Sequence, residues 1–273
     1  MKTLFLSLIV LMSAACGREP SRLLRQGQLP IFDFPLYLTE GAAGRVWKID
    51  RERNMTLLAE GLNDPRGVAS DRFQNLYVAE FGSGRVLKFP GGDSNYEVVS
   101  ENLVEPSVVA VDGFGEVYVS QSETNAVRRL SDNQDFGSYA AAPSALGFGV
   151  DDIPLVGVYD DNSLSWGWNG EGAQKADMTH PVNVSIDGTG RVYGAAGGIT
   201  DGQVIRYHQR SAEGAFVVAE GLAGPLGIAV DLVGNIFIAE QGAGRIILVN
   251  YEGRAFSWLT GVEDPQYLAF TQY

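Results

Sequence analysis

Cysteine and histidine are almost missing from this 273-residue chain. The one cysteine, Cys16, cannot form an intrachain disulfide, so stability must come from a packed core. The two histidines, His180 and His208, are too few for a metal centre built on three. Basic residues are also scarce: 20 Lys and Arg stand against 33 Asp and Glu, a net charge of −13. Nucleic-acid binding needs clustered cations to replace phosphate counterions, and this balance argues against it. Acidity favours solubility and cationic partners. Long apolar runs are missing too. The run Leu4–Met12 is shorter than the roughly 20 residues of a membrane-spanning helix, and no later run is long enough.

What is present is an ordinary globular balance, 45% hydrophobic and 19% charged, enough for a substantial core. The 34 glycines follow no collagen period and predict many tight turns between short strands. The length suits one large all-β domain.

The first fifteen residues stand apart. Lys2 supplies a positive start, Leu4–Met12 an apolar stretch, and Ser13, Ala14 and Ala15 a small-residue cleavage site, the pattern of a secretory signal. Cys16 follows at once. The arrangement resembles a bacterial lipoprotein signal, with Ser13 where such signals usually carry Leu. The resemblance implies lipidation of Cys16, a cell-envelope location and a membrane link through the lipid alone. Gly17 is not the Asp that retains many lipoproteins at an inner membrane, so an outer membrane is expected where one exists. Residues 16–30 read as a polar tether.

Residues 31–273 carry an internal repeat of about 40 residues. Its clearest copies are DPRGVASDRFQNLYVAEFGSGRVLKF from Asp64, EPSVVAVDGFGEVYVSQSETNAVRRL from Glu105 and GPLGIAVDLVGNIFIAEQGAGRIILV from Gly224. A fourth starts at His180, and a degenerate one, ALGFGVDDIPLVGVYDDNSLSWGW, at Ala145. Asp71, Asp112, Asp151, Asp187 and Asp231 mark one turn; nine residues later stand Glu80, Gln121, Asp160, Ala196 and Glu240. Each unit holds four short runs rich in Val, Ile, Leu, Tyr and Phe, the composition of strands. Many runs are apolar throughout, as in strands buried on both faces. Four strands per unit make a β-propeller blade. The chain enters the pattern partway, at LYLTEGAAGRVWKID from Leu36, and ends on a lone first strand, DPQYLAFTQY from Asp264. Together they complete one blade. The expectation is an all-β, six-bladed β-propeller whose first blade is closed by the C-terminal strand.

The pattern P-x-G-[VI]-A-V-D, then G-N-[IV]-[YF]-[VI]-A-[DE], then R-[VI], is similar to NHL-repeat propellers. Such propellers include binding scaffolds, sensors and a few enzymes, so the resemblance speaks to fold more than to function.

Strand order assigns the loops to two faces. Pro65, Pro106, Pro181, Pro225 and Pro265 share one face with Glu40, Glu80, Asp160 and Glu240; the Asp turns lie on the other. Glu40–Arg45, Glu80–Arg85 and Glu240–Arg245 share one spacing. They read either as a carboxylate ring for a cation or sugar, or as ion pairs bracing each loop. The Asp turns read as hydrogen-bonded turn residues. His180 and His208 fall on opposite faces and cannot share a metal. Gluconolactonase-type propellers resemble this chain in fold and carry acidic or amide metal ligands near first-strand starts. Here those positions hold Arg66, Ser107, Ser144, Val182, Leu226 and Gln266, which supply no carboxylate. Streptogramin lyases resemble it as well, yet no His aligns with the His–Glu arrangement their activity needs. No catalytic set, metal site or cofactor is therefore expected, although His180 could serve as a general base.

The fourth blade is the most divergent. Asp160, Asp161, Trp166 and Trp168, with His180 and Arg66, form the candidate ligand-binding set, since aromatics beside carboxylates suit a carbohydrate or cationic ligand. The competing reading has the Trp residues packing between blades. The expected role is binding or scaffolding of an envelope protein, peptide or glycan; the alternative is a hydrolase or lyase of the lactonase or streptogramin-lyase type.

Overall fold

A computed structural model describes residues 35–137, 139–168, 174–198, 200–208 and 211–271, with the side chains of 174–177, 208 and 211–214 left aside. The signal, Cys16 and the tether lie outside the described residues.

The repeat folds as six four-stranded antiparallel sheets. Blade 1 joins both ends of the domain. Its strands are β1 (Leu36–Glu40), β2 (Arg45–Ile49), β3 (Met55–Ala59) and, innermost, β24 (Pro265–Phe270). Leu36 pairs with Phe270 and Glu40 with Pro265. Each other blade is one continuous stretch. Blade 2 comprises β4 (Pro65–Ser70), β5 (Leu76–Glu80), β6 (Arg85–Phe89) and β7 (Glu97–Ser100). Blade 3 comprises β8 (Pro106–Val111), β9 (Val117–Gln121), β10 (Ala126–Arg129) and β11 (Asp135–Phe136). Blade 4 comprises β12 (Pro143–Phe148), β13 (Pro154–Val158), β14 (Ser163–Trp166) and β15 (Gln174–Asp177). Blade 5 comprises β16 (Pro181–Ile186), β17 (Val192–Ala196), β18 (Gly202–His208) and β19 (Ser211–Leu222). Blade 6 comprises β20 (Pro225–Val230), β21 (Ile236–Glu240), β22 (Arg245–Val249) and β23 (Ala255–Thr260). The innermost strands β24, β4, β8, β12, β16 and β20 touch in a closed ring. The molecule is a six-bladed β-propeller, as the repeat predicts.

The core lies between blades. All six second strands are buried at every position, which accounts for their largely apolar composition up to the last residues. Leu36, Leu38 and Ile49 of blade 1 pack on Phe237, Ile246 and Trp258 of blade 6. Leu268 and Pro265 are buried as the closure requires, while Phe270 is partly buried with its ring edge-on to Phe237. Where inner strands approach most closely, only glycine fits. A Cβ on Gly67 would stand 2.6 Å from the Ser107 carbonyl oxygen, and one on Gly227 2.6 Å from that of Gln266.

Inner strands begin at one surface, the proline face, and end at the other, the turn face. On the turn face Asp71 Oδ1 accepts from the Phe73 and Asn75 amides, and Asp112, Asp187 and Asp231 repeat the pattern. These aspartates are turn caps. The fourth turn departs from the nine-residue count. Gly149 makes the backbone bonds to Ile153 and Asp152 that Asp71 makes to Asn75 and Gln74. Gly149 thus holds the Asp position, and Asp151 lies two residues past it. The strand position of Glu80 falls to Val158, which pairs with Pro143 and Ser163. Asp160 is displaced into the β13–β14 loop, because the fourth blade keeps the strand lengths and lets the polar residues slip.

Candidate functional site

The proline face is assembled by a recurrent device. Glu80 is 1% exposed at the end of β5. One of its oxygens accepts from the Arg85 guanidinium and the other from the Asn63 amide at 2.7 Å. Glu240 binds Arg245 and the Ala223 amide in the same way. Glu40 lies 3.7 Å from Arg45 and accepts from the Glu263 amide and the Trp47 indole. The Glu–Arg pairs are therefore braces that hold the loop entering each inner strand, and they are not a carboxylate ring open to a ligand. Blade 3 keeps the brace without charge: Gln121 accepts from the Val104 amide, and Ala126 replaces the arginine. Blades 4 and 5 carry Val158–Ser163 and Ala196–Gln203 at these positions. The device thus spans blades 6, 1, 2 and 3, and one sector of the face is free of it.

The residue before the inner-strand proline adopts positive φ at Asp64, Glu105, His180, Gly224 and Asp264. This turns its carbonyl toward the amide just past the second strand, as Asp64 does to Phe81 and His180 to Gly197. Asp264 ties blades 1 and 6 together, accepting from the Ala42 amide at 2.7 Å and the Gln241 side-chain amide at 2.6 Å. Arg66 forks onto Asp64 at 2.8 and 3.1 Å and lies 3.4 Å from the centre of the Phe81 ring. Below it, burial pushes the Tyr267 phenol above its ordinary pKa, against the opposing effects of a Ser107 hydrogen bond and the Arg66 charge. Arg66, Ser107 and Tyr267 thus meet near the axis.

The candidate set divides between the two faces. Asp160 and Asp161 are exposed on the proline face in the β13–β14 loop, where Asp161 accepts from the Ser163 hydroxyl at 2.9 Å. His180 is close by: its ring stacks on Tyr159 at 4.4 Å, and its amide donates to the Asn162 side chain. Trp166 and Trp168 stand at the far end of β14, toward the turn face. Trp166 is buried edge-on to Tyr207, and Trp168 packs among Tyr118, Phe136 and Phe148. A strand advances about 3.3 Å per residue, so the length of β14 separates both indoles from Asp160. The two tryptophans pack between blades, and Tyr159 is the aromatic beside the carboxylates. It sits next to Asp160 in sequence, but its contact with His180 crosses from blade 4 to blade 5.

Charge is uneven between the faces. Glu60, Glu101, Glu105, Asp160, Glu220 and Glu263 are exposed around the proline face. Its arginines are already engaged: Arg45, Arg85 and Arg245 by buried glutamates, Arg66 by Asp64. The turn face mixes signs, with Arg51, Arg72, Arg191 and Arg254 among Glu52, Asp132 and Glu252. Among the described residues no three His, Cys, Asp or Glu stand together as a metal site.

No family model and no curated protein matches the chain. Solved structures do. A chain from the nidogen/laminin complex superposes with a TM-score of 0.74 at 9% identity, over 87% of this chain and 98% of that one. A gluconolactonase, XC5397 of Xanthomonas campestris, gives 0.67 at 16%, over 90% and 91%. A streptogramin B lyase gives 0.61 at 13%, over 87% and 84%. At these identities the likeness is one of fold, and the chain is similar to propellers of the streptogramin-lyase and gluconolactonase type.

Proposed function

We propose that the protein is an exported propeller, held to the bacterial cell envelope by a lipid on Cys16, that binds a basic segment of an envelope protein or peptide on its proline face. The observation that carries this reading is the unbalanced ring of exposed carboxylates on that face. Its focus is the sector free of Glu–Arg braces, where Asp160 and Asp161 stand beside the Tyr159–His180 stack. Exposed carboxylates attract a cationic partner at long range, and an aromatic pair offers a flat surface for an Arg or Lys side chain. That one fold neighbour belongs to a nidogen/laminin complex agrees with a propeller used for protein binding.

Oligolysine is a direct probe. Wild type should bind it with affinity that falls steeply as salt rises. Reversing Asp160→Lys and Asp161→Lys should weaken binding about tenfold with an unchanged melting temperature. Equal binding by the variant would remove this sector from the reading. The anchor has its own test: Cys16→Ser should abolish incorporation of labelled fatty acid and release the protein from membranes.

A further inference from the structure

Five large apolar side chains among the described residues are more than half exposed: Phe114 at 76%, Phe73 at 66%, Val150 and Leu232 at 64% and Tyr251 at 51%. All five stand on turn-face loops. Four occupy the tips of turns that close an inner strand, where polar residues are the rule. These turns adjoin one another around the axis. Asp152 of the fourth accepts from the Gly113 amide of the third, and Leu232 of the sixth lies beside Gly188 of the fifth. Below Phe73, Phe114 and Leu232 an Asp cap holds the tip outward, since its side chain binds two amides of the same turn. The proline face has no counterpart; its one exposed large apolar side chain in the described loops is Tyr159, at 37%.

The chain enters the propeller on this same turn face. Leu36 opens β1 opposite Phe270, the turn-face end of β24. Eighteen residues separate Cys16 from Pro35. Even fully extended they reach about 60 Å, so a lipid on Cys16 keeps the point where the chain enters the propeller within that distance of the bilayer. Such a link limits distance without setting orientation. It also makes contact with the bilayer intramolecular, so a weakly inserting surface suffices. The charge pattern acts in the same direction: the acidic proline face is repelled by anionic lipid, whereas the turn face mixes signs, with Arg51, Arg191 and Arg254 each paired with a carboxylate.

We infer that the turn face is a membrane-docking surface, with Phe73, Phe114, Val150, Leu232 and Tyr251 entering the lipid interface and the proline face held outward toward its partner. The inference rests on the lipid-anchored reading above. It is tested on the full-length lipidated chain in vesicles of phosphatidylethanolamine and phosphatidylglycerol. Lipidation consumes the only native cysteine, so Arg72→Cys or Glu101→Cys each accepts a single environment-sensitive dye, on the turn and proline faces respectively. Lipids bearing a quencher should quench the dye at 72 and spare the dye at 101. Adding Phe73→Asp, Phe114→Asp and Leu232→Asp should abolish quenching at 72 while the protein still sediments with vesicles. Equal quenching at both positions, or quenching at 101 alone, overturns the docking surface and leaves the anchor standing. Failure of the wild-type chain to take up lipid and sediment overturns both. Shielding of the dye at 72 without vesicles, together with a dimeric mass, assigns the apolar tips to a second copy of the chain and overturns the lipid assignment.

Discussion

Glu80 shows how a buried carboxylate can serve as structure. Its charge is matched by Arg85, and its second oxygen satisfies the Asn63 amide, so no polar atom of the carboxylate is wasted. Removing one partner strands the others. Glu80→Ala should cost about 2 kcal/mol, because the Asn63 amide loses its acceptor and Arg85 its counter-charge. The double change Glu80→Gln with Arg85→Ala copies the Gln121–Ala126 arrangement of blade 3 and should cost under about 1 kcal/mol. Urea unfolding of both variants measures the difference. Tyrosines provide a second residue-scale test. Burial, aided by Asp93, pushes the Tyr37 phenol up to about 12, and burial, aided by Asp71, does the same to Tyr77. Both sit above the free phenol value of 10, so the native state keeps protons that the unfolded chain releases first. Their stabilising contribution is complete below pH 10 and is lost as pH rises toward about 12. The urea midpoint should fall across that window, each tyrosine adding a slope of up to about 1.4 kcal/mol per pH unit. A flat midpoint would contradict the burial of these phenols.

Among the elements, β24 carries the closure. It is the innermost strand of a blade whose other strands come from the opposite end of the chain. A chain ending at Val262 would leave β1 without its inner neighbour and strip Leu268 from Leu36, Leu38 and Phe237. It should lose cooperative unfolding or aggregate through the open edge, seen as a broadened thermal transition and high-mass species on gel filtration. The inner ring sets a second limit. Gly67→Ala would push a methyl group into the backbone of β8, and thermal unfolding should show a loss of about 1–3 kcal/mol.

For the whole molecule, the disc has two unlike faces. Braced loops and exposed carboxylates mark the proline face; capped turns with apolar tips mark the other. Propellers need both faces only for connection, so loops on either are free to diverge while the blades stay fixed. The braced arc of blades 6, 1, 2 and 3 is regular, and divergence gathers in blades 4 and 5, beside Asp160, Tyr159 and His180. Raised salt should therefore weaken a ligand bound at the proline face far more than one held by the turn face, which a paired titration with oligolysine and vesicles would read directly.

The repeat alone determined the blade, the count of six, the closure by the C-terminal strand and the side of the disc on which each loop lies. These follow from local spacing, since strand length and turn chemistry are written in consecutive residues. The aspartate caps were legible for the same reason: each binds amides two and four residues ahead. Tertiary structure decided the rest. A nine-residue count put Asp160 in the glutamate series; strand pairing gave that place to Val158, because register is fixed by partners across the sheet. Composition grouped Trp166 and Trp168 with Asp160; the length of β14 separated them, because neighbours in sequence along a strand stand at opposite ends of it. The Tyr159–His180 stack and the apolar tips around the axis join residues from different blades, and only the closed ring of inner strands brings such residues together.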